Sequence, residues 1–348
     1  VKIGSRTLAA EGAPIFDHLA DMLADHRGKT FVLVSSGAIA LGVRKLGYRV
    51  RPKEIAKLQA AAAAGQSLLM RAYEEAFGRR GLTVAQVLLT YADLADRTRS
   101  NNAREALCAL LEAGAIPVLN ENDSVAVDEI KLDNDQLAAM VAPLVDADLV
   151  ILLSDVDGLL DGEGRCIAVV RDVVRDALPH IRKTTSTVGT GGMASKVEAA
   201  RRATLAGANV VVADARYPDV IRDILAGSDV GTLFVAAPER LSARKYWISF
   251  TLRPRGDVLL DRGAARAVSA KGKSVLSVGV LGVRGEFRAG DAVRLLDPDG
   301  VELARGLARC SAVDAARVAG RPREDLAGAL AELAVVVHAD DLVVGGHG

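Results

Sequence analysis

A chain of 348 residues exceeds what one hydrophobic core comfortably organises, so two domains are expected, the first large enough to bury an extensive sheet. Half of it is hydrophobic but only 3% aromatic, a mixture that suits alternating parallel strands and helices better than an aromatic-rich β-sandwich. Lys plus Arg and Asp plus Glu balance at 44 each, which excludes a global field drawing the chain to nucleic acid or an anionic membrane; a charged ligand must be met locally.

Cys108, Cys166 and Cys310 are far apart and odd in number, so neither a CxxC metal site nor a secreted disulfide framework is expected, and a cytoplasmic setting fits. No apolar signal region opens the chain, and Asp146, Asp148, Asp155 and Asp157 interrupt its most hydrophobic later stretch, so no membrane span is expected. Val1 stands so close to a motif that a few residues are expected ahead of it.

Val1-Lys2-Ile3 reads as a strand ended by Gly4-Ser5, although a terminal lysine is ordinarily solvated. A helical pattern over 14–26 leads to a strand at 31–35, which runs into Ser36-Gly37-Ala38-Ile39-Ala40 and a second helix. Small residues and free N–H groups there leave room for a substrate carboxylate. A nucleophilic serine is disfavoured, because the GxSxG elbow is missing and none of the five histidines stands beside a matching acid.

An Ala-rich helix at 55–77, a strand at 84–89 and a helix at 99–113 follow. The strand at 116–119 ends in Asn120-Glu121-Asn122-Asp123, and Asp133-Asn134-Asp135 opens a helix reaching residue 145. Such amides and carboxylates can clasp an ammonium group, or merely cap and turn the chain. A strand at 149–153 ends in Ser154-Asp155-Val156-Asp157-Gly158-Leu159, where a nucleotide base or ribose can rest, or where the strand simply turns.

Gly189-Thr190-Gly191-Gly192-Met193-Ala194-Ser195-Lys196 is a glycine-rich turn entering a helix at 193–206, with a lysine one turn inside. Glycines let backbone N–H groups approach phosphate, and the helix start adds positive potential. The GxxxxGK[ST] spacing of a P-loop is absent. A strand at 210–213 completes an alternation implying crossover connections and one mainly parallel sheet, with all five motifs at strand ends along one edge.

Past Ala236-Ala237-Pro238 the rhythm changes. Residues 241–255 are expected as a linker between a first domain at 1–240 and a small β-rich domain at 256–348, with strands at 257–260, 274–280, 292–296 and 301–307 and a turn at Asp297-Pro298-Asp299-Gly300.

Taken together, these segments resemble the amino-acid kinase family, most nearly its glutamate-phosphorylating members. Gln86-Val87-Leu88-Leu89-Thr90 and Asn101-Asn102-Ala103-Arg104 share in the likeness, which covers almost the whole chain, and the C-terminal part looks like a PUA domain. The resemblance implies an α/β fold, a three-layer αβα sandwich with a mainly parallel central sheet, followed by the small β-rich PUA-like domain. It implies ATP lying against Lys2, Ser154, Asp155, Thr190, Gly191, Gly192, Met193, Ala194, Ser195 and Lys196, with L-glutamate gripped by Ser36, Asp123 and Asn134. Lys2 and Lys196 would screen the transferred phosphoryl group and Asp135 would organise the two lysines, with Mg2+ held largely by the phosphates and no metal site of the protein's own.

The implied product is L-glutamyl 5-phosphate, at the first step of proline biosynthesis, and the implied partners are proline as a feedback inhibitor and further copies of the chain in a dimer or tetramer. A carboxylate acceptor is already ionised at neutral pH, which accounts for the lack of a catalytic histidine. The chain departs from the family in Arg6, where Ser or Thr is usual, in Ser154 for a commoner Thr, and in a short segment at 161–165.

Kinases of the same fold that act on acetylglutamate, aspartate, carbamate or a nucleotide are the nearest alternatives, and the PUA-like tail and the cluster at 120–123 argue against them. Arg253, Arg255, Arg262, Arg266, Lys271 and Lys273 suggest RNA binding, against which the balanced charge and scarce aromatics weigh.

Overall fold

The first sheet is assembled from short runs of Val, Leu and Ile, too brief and too apolar to stand anywhere but in a buried parallel array. Its strands in the computed structural model are β1 (Lys2–Ile3), β2 (Leu33–Ser35), β3 (Val84–Leu89), β4 (Ile116–Glu121), β5 (Leu149–Ser154), β6 (Val169–Val170), β7 (Asn209–Asp214) and β8 (Thr232–Phe234). They lie in the order β3-β4-β2-β1-β5-β7-β8-β6, parallel at every junction except β7 with β8. The structure describes residues 1–5, 7–8, 13–126, 133–181 and 192–345. They fall into two compact units, 1–240 and 241–348.

The longer helices described in the first unit are α1 (Ala13–Ala24), α2 (Ala38–Lys45), α3 (Ile55–Gly78), α4 (Arg97–Glu112), α5 (Asn134–Val141), α6 (Met193–Leu205) and α7 (Val220–Ala226), with short helical turns at Tyr91–Ala95, Val173–Ala177 and Leu178–Ile181. Alternation along the strands divides the core in two. Leu33, Ile151, Leu153 and Val211 face Leu19 of α1, Leu69 and Tyr73 of α3, and Ile221 of α7. Val34, Val150, Leu152, Val210 and Val212 face Leu107 of α4, Leu137 of α5 and Val197 of α6. Helices thus cover both faces of the sheet, the three-layer arrangement that the alternation of strand and helix predicts.

Two glycines set how closely α2 and α3 approach. A Cβ on Gly42 would stand 1.7 Å from the carbonyl oxygen of Ala61, and one on Gly65 would stand 1.8 Å from that of Ala38. The two helices therefore meet backbone to backbone. Just before α2, Gly37 turns the chain with φ of 98°, a conformation that side chains rarely adopt.

The helix expected to reach residue 145 stops at Val141 and finishes as a 3₁₀ turn, Ala142–Leu144. Pro143 has no N–H with which to continue the α-helical ladder.

In the second unit, β9 (Gly256–Leu260), β10 (Val275–Leu276), β11 (Val280–Gly285), β12 (Ala292–Leu296), β13 (Glu302–Ala308) and β14 (Val335–Val344) form a mixed sheet in the order β10-β14-β13-β12-β9-β11. Helix α8 (Arg262–Lys271) starts where the Asp261 side chain accepts from Ala264 N–H and ends at left-handed Gly272. Helix α9 (Ala312–Val318) is capped by Ser311. Val258, Leu295, Val336 and Val337 lie in a core made wholly of this unit's residues. The stretch 241–255, expected as a linker, carries a helix at Ala243–Tyr246 that continues through Trp247–Thr251, with Ile248, Ser249 and Phe250 buried. Among the described residues, no helix is long and apolar enough to cross a membrane.

Candidate active site

Parallel strands bring their carboxyl ends to one edge, and the register brings the motifs there. Ile3 stands opposite both Ser35 and Leu153, Val34 opposite Leu119, and Ser154 opposite Asp214. Helices α5 and α6 start beside this edge and supply the remaining polar groups.

Asp135 is the second residue of α5 and is fully buried. Its Oδ2 accepts a hydrogen bond from Lys196 Nζ at 2.9 Å, and Lys2 Nζ lies 2.6 Å from its Oδ1 as an ion pair outside hydrogen-bond alignment. The lysine side chains are only 7% and 5% exposed. Two amines far apart in the sequence of the first unit therefore converge on a single carboxylate. With both amines charged, the three groups together carry a net positive charge of one, which favours an anion beside them.

The starts of α5 and α6 are stitched together. Asp133 caps α5 by accepting from Asp135 N–H at 3.1 Å, and its other oxygen accepts from Ser195 Oγ at 2.5 Å. Gln136 Nε2 donates to the Ser195 carbonyl at 2.9 Å. The start of α6 itself has no side-chain cap: Gly192 precedes it in an extended conformation, with open space where a Cβ would be. The first N–H groups of α6 at Met193 and Ala194 thus suit a phosphate. Thr190 and Gly191, expected in the same loop, lie outside the described residues, as do Gly189 and Arg6.

On the other side of Asp135, Asn134 Nδ2 donates to Ser36 Oγ at 2.8 Å, to the Ser35 carbonyl at 3.1 Å and to Asn120 Oδ1 at 3.1 Å. Ser36 and Asn134 are thereby brought together. Behind them Tyr73 donates from its hydroxyl to Ser35 Oγ at 2.8 Å, and burial pushes that phenol well above its ordinary range. Asp123 sits half-buried in the turn after β4 and lines a cavity of about 250 Å³ with Gln66, Ser67, Gln86, Glu121 and Asn122.

Ser154 and Asp155 close β5, where Ser154 Oγ donates to Asp155 Oδ1 at 3.2 Å; Lys2 stands opposite Leu152, two residues earlier. Beside them Arg216 donates to Asp214, holding that carboxyl below the usual carboxylate range. Among the described residues no group of three or more His, Cys, Asp or Glu is placed to hold a metal ion.

Sequence reasoning did not single out Gln136 or Gln66. Gln136 carries no motif, and Gln66 lies inside an Ala-rich helix that reads as packing alone. Asp133 reads as a cap and is one, but its second oxygen, on Ser195, depends on a contact 62 positions away.

Residues 1–214 match the amino acid kinase family and residues 256–328 match the PUA domain. Glutamate 5-kinase of Myxococcus xanthus is 46% identical to this chain, covering 99% of it and 95% of the relative. Glutamate 5-kinases of Trichlorobacter lovleyi and Syntrophus aciditrophicus are 45% and 44% identical, covering 100% and 99% of this chain and 96% and 93% of their own.

Proposed function

The chain belongs to the glutamate 5-kinase branch of the amino-acid kinase family, and from that premise we propose that Lys2, Lys196 and Asp135 are its phosphoryl-transfer centre. The reaction carries the γ-phosphoryl group of ATP, used with Mg2+, to the side-chain carboxylate of L-glutamate. That acceptor is ionised at neutral pH, so no base is required to create the nucleophile. The obstacle is repulsion between two anions brought into line.

The observation that carries this reading is the single buried carboxylate serving both amines. Asp135 keeps Lys2 and Lys196 at one place while leaving the group net positive, so the amines are aimed before the substrates arrive and need little reorganisation as charge spreads over the phosphoryl oxygens. Bound Mg2+ supplies further neutralisation of the phosphates. The ATP phosphates lie at the uncapped start of α6, against Gly192, Met193, Ala194, Ser195 and Lys196 with Thr190 and Gly191 ahead of them, and Ser154 and Asp155 flank the nucleoside. Ser36, Asn134 and Asp123 hold glutamate, the Asp123 carboxylate facing its ammonium group.

In this reading the catalytic domain is 1–240, 241–255 joins it to the PUA-like domain at 256–348, and the division of the compact units after Arg240 and a PUA match that begins at residue 256 support it. The same family reading extends to a homo-oligomer, to inhibition by proline and to a cytoplasmic setting; glutamate-dependent ADP release with and without proline tests the inhibition directly.

The residue roles are tested by Lys196→Ala. Its turnover, followed as glutamyl hydroxamate, is expected to fall roughly 10²- to 10³-fold while KM for ATP changes far less. Unchanged turnover with only a raised KM contradicts the role.

A further inference from the structure

A row of amides runs from the substrate side of the site into α3, and its polarity is fixed by one peptide group. Glu121 N–H donates to Asn120 Oδ1 at 2.9 Å. Because a backbone N–H only donates, this identifies the oxygen end of Asn120 and turns its Nδ2 to Gln66 Oε1, 3.0 Å away. Gln66 must then present its own NH2 elsewhere. At the opposite end, Asn134 spends its NH2 on Asn120, Ser36 and the Ser35 carbonyl.

The row therefore ends in one unmet donor and one unmet acceptor. Gln66 Nε2 and Asn134 Oδ1 are both buried without a hydrogen-bond partner among the described residues, and Gln66 is only 9% exposed. Buried polar groups are ordinarily paired, so a buried donor and acceptor of this kind call for a ligand that satisfies them. Gln66 lines the 250 Å³ cavity that Glu121, Asn122 and Asp123 also line. A free α-amino acid brings what the Gln66 end lacks, a carboxylate to accept from Nε2.

We propose that Gln66 is a further substrate-binding residue, its Nε2 donating to the α-carboxylate of the amino-acid acceptor while Asn120 holds its Oε1. The inference rests on the reading of glutamate as acceptor at this site. The side-chain carboxylate of that acceptor has to reach the lysines at Asp135, and Gln66 stands at the end of the row away from Asp135, where the α-carboxylate remains to be bound.

Gln66→Glu in the full chain separates this role from a structural one. The substitution keeps the shape and the oxygen that Asn120 needs, but replaces the donor with an acceptor. Expected is a rise in KM for glutamate of roughly ten- to a hundredfold, with KM for ATP held within about twofold and the thermal midpoint little changed. A KM for glutamate like that of the parent overturns the proposal, since it shows that only the oxygen matters. Gln66→Met removes the donor without adding charge and serves if Gln66→Glu does not fold; KM for glutamate is again expected to rise with KM for ATP held. Parallel rises in both KM values together with a loss of thermal stability overturn the proposal as well. A parent chain without glutamate-dependent turnover removes the acceptor reading and this inference with it, whereas an active parent and an indifferent Gln66→Glu remove the inference alone.

Discussion

A carboxylate shared by two ammonium groups is expensive to bury, and Asp135 is held at that cost in a fully buried position. Replacing it by Asn keeps the volume but leaves two lysines buried around a neutral amide. Breaking a buried pair in this way typically costs roughly 3–5 kcal/mol. Asp135→Asn is therefore expected to lower the denaturation midpoint as well as turnover, and chemical denaturation of the variant measures the first directly. A variant that is as stable as the parent yet inactive shows that the carboxylate contributes to catalysis alone. The convergence on Asp135 was not legible from spacing. Lys196 is 61 positions from Asp135, and Lys2 reads as a solvated terminal lysine until the family likeness singles it out. What sequence did convey at this scale was chemistry that stays local: the Asp133 cap and the small residues after β2.

Among the elements, the closest approach is between α2 and α3, where Gly42 and Gly65 replace side chains with direct backbone contact. Gly65 precedes Gln66, and the carbonyl it touches belongs to Ala38, two residues beyond Ser36. The spacing of these helices thus holds the cavity wall beside the substrate residues. Gly65→Ala must push the helices apart or strain both. Overpacking of this severity is expected to cost about 3 kcal/mol, near the upper end of the usual range. For a unit of 240 residues that corresponds to a fall of roughly 6–12 °C in Tm, which calorimetry measures, together with a raised KM for glutamate. Long, regular segments were well marked in the sequence: α3 was expected at 55–77 and spans Ile55–Gly78, and β3 was expected at 84–89 and spans Val84–Leu89. The two-residue β6 and three-residue β8 were not, because so few residues hold no period, and their places follow from pairing with each other and with β7.

For the whole molecule, the decisive fact is that each unit has a core of its own. Every candidate site residue lies within the first unit. A chain ending at Arg240 is therefore expected to fold and to keep glutamate-dependent turnover within about an order of magnitude, with one of two calorimetric transitions lost. Loss of all activity in a folded truncation assigns the second unit a part in the reaction. Length pointed to two units and composition to the α/β class, but the ten-residue β14 lay outside that reading, since its pairing with β10 and β13 is set by contacts distant in sequence.

Asn134 and Asp135 are consecutive. On the proposed roles, one touches the acceptor and the other steadies the amines over the donor, so the gap between reactants is ruled off by a single planar peptide unit at the start of α5. No hinge intervenes, and whatever tilts this helix carries both grips together, preserving their spacing while changing their aim.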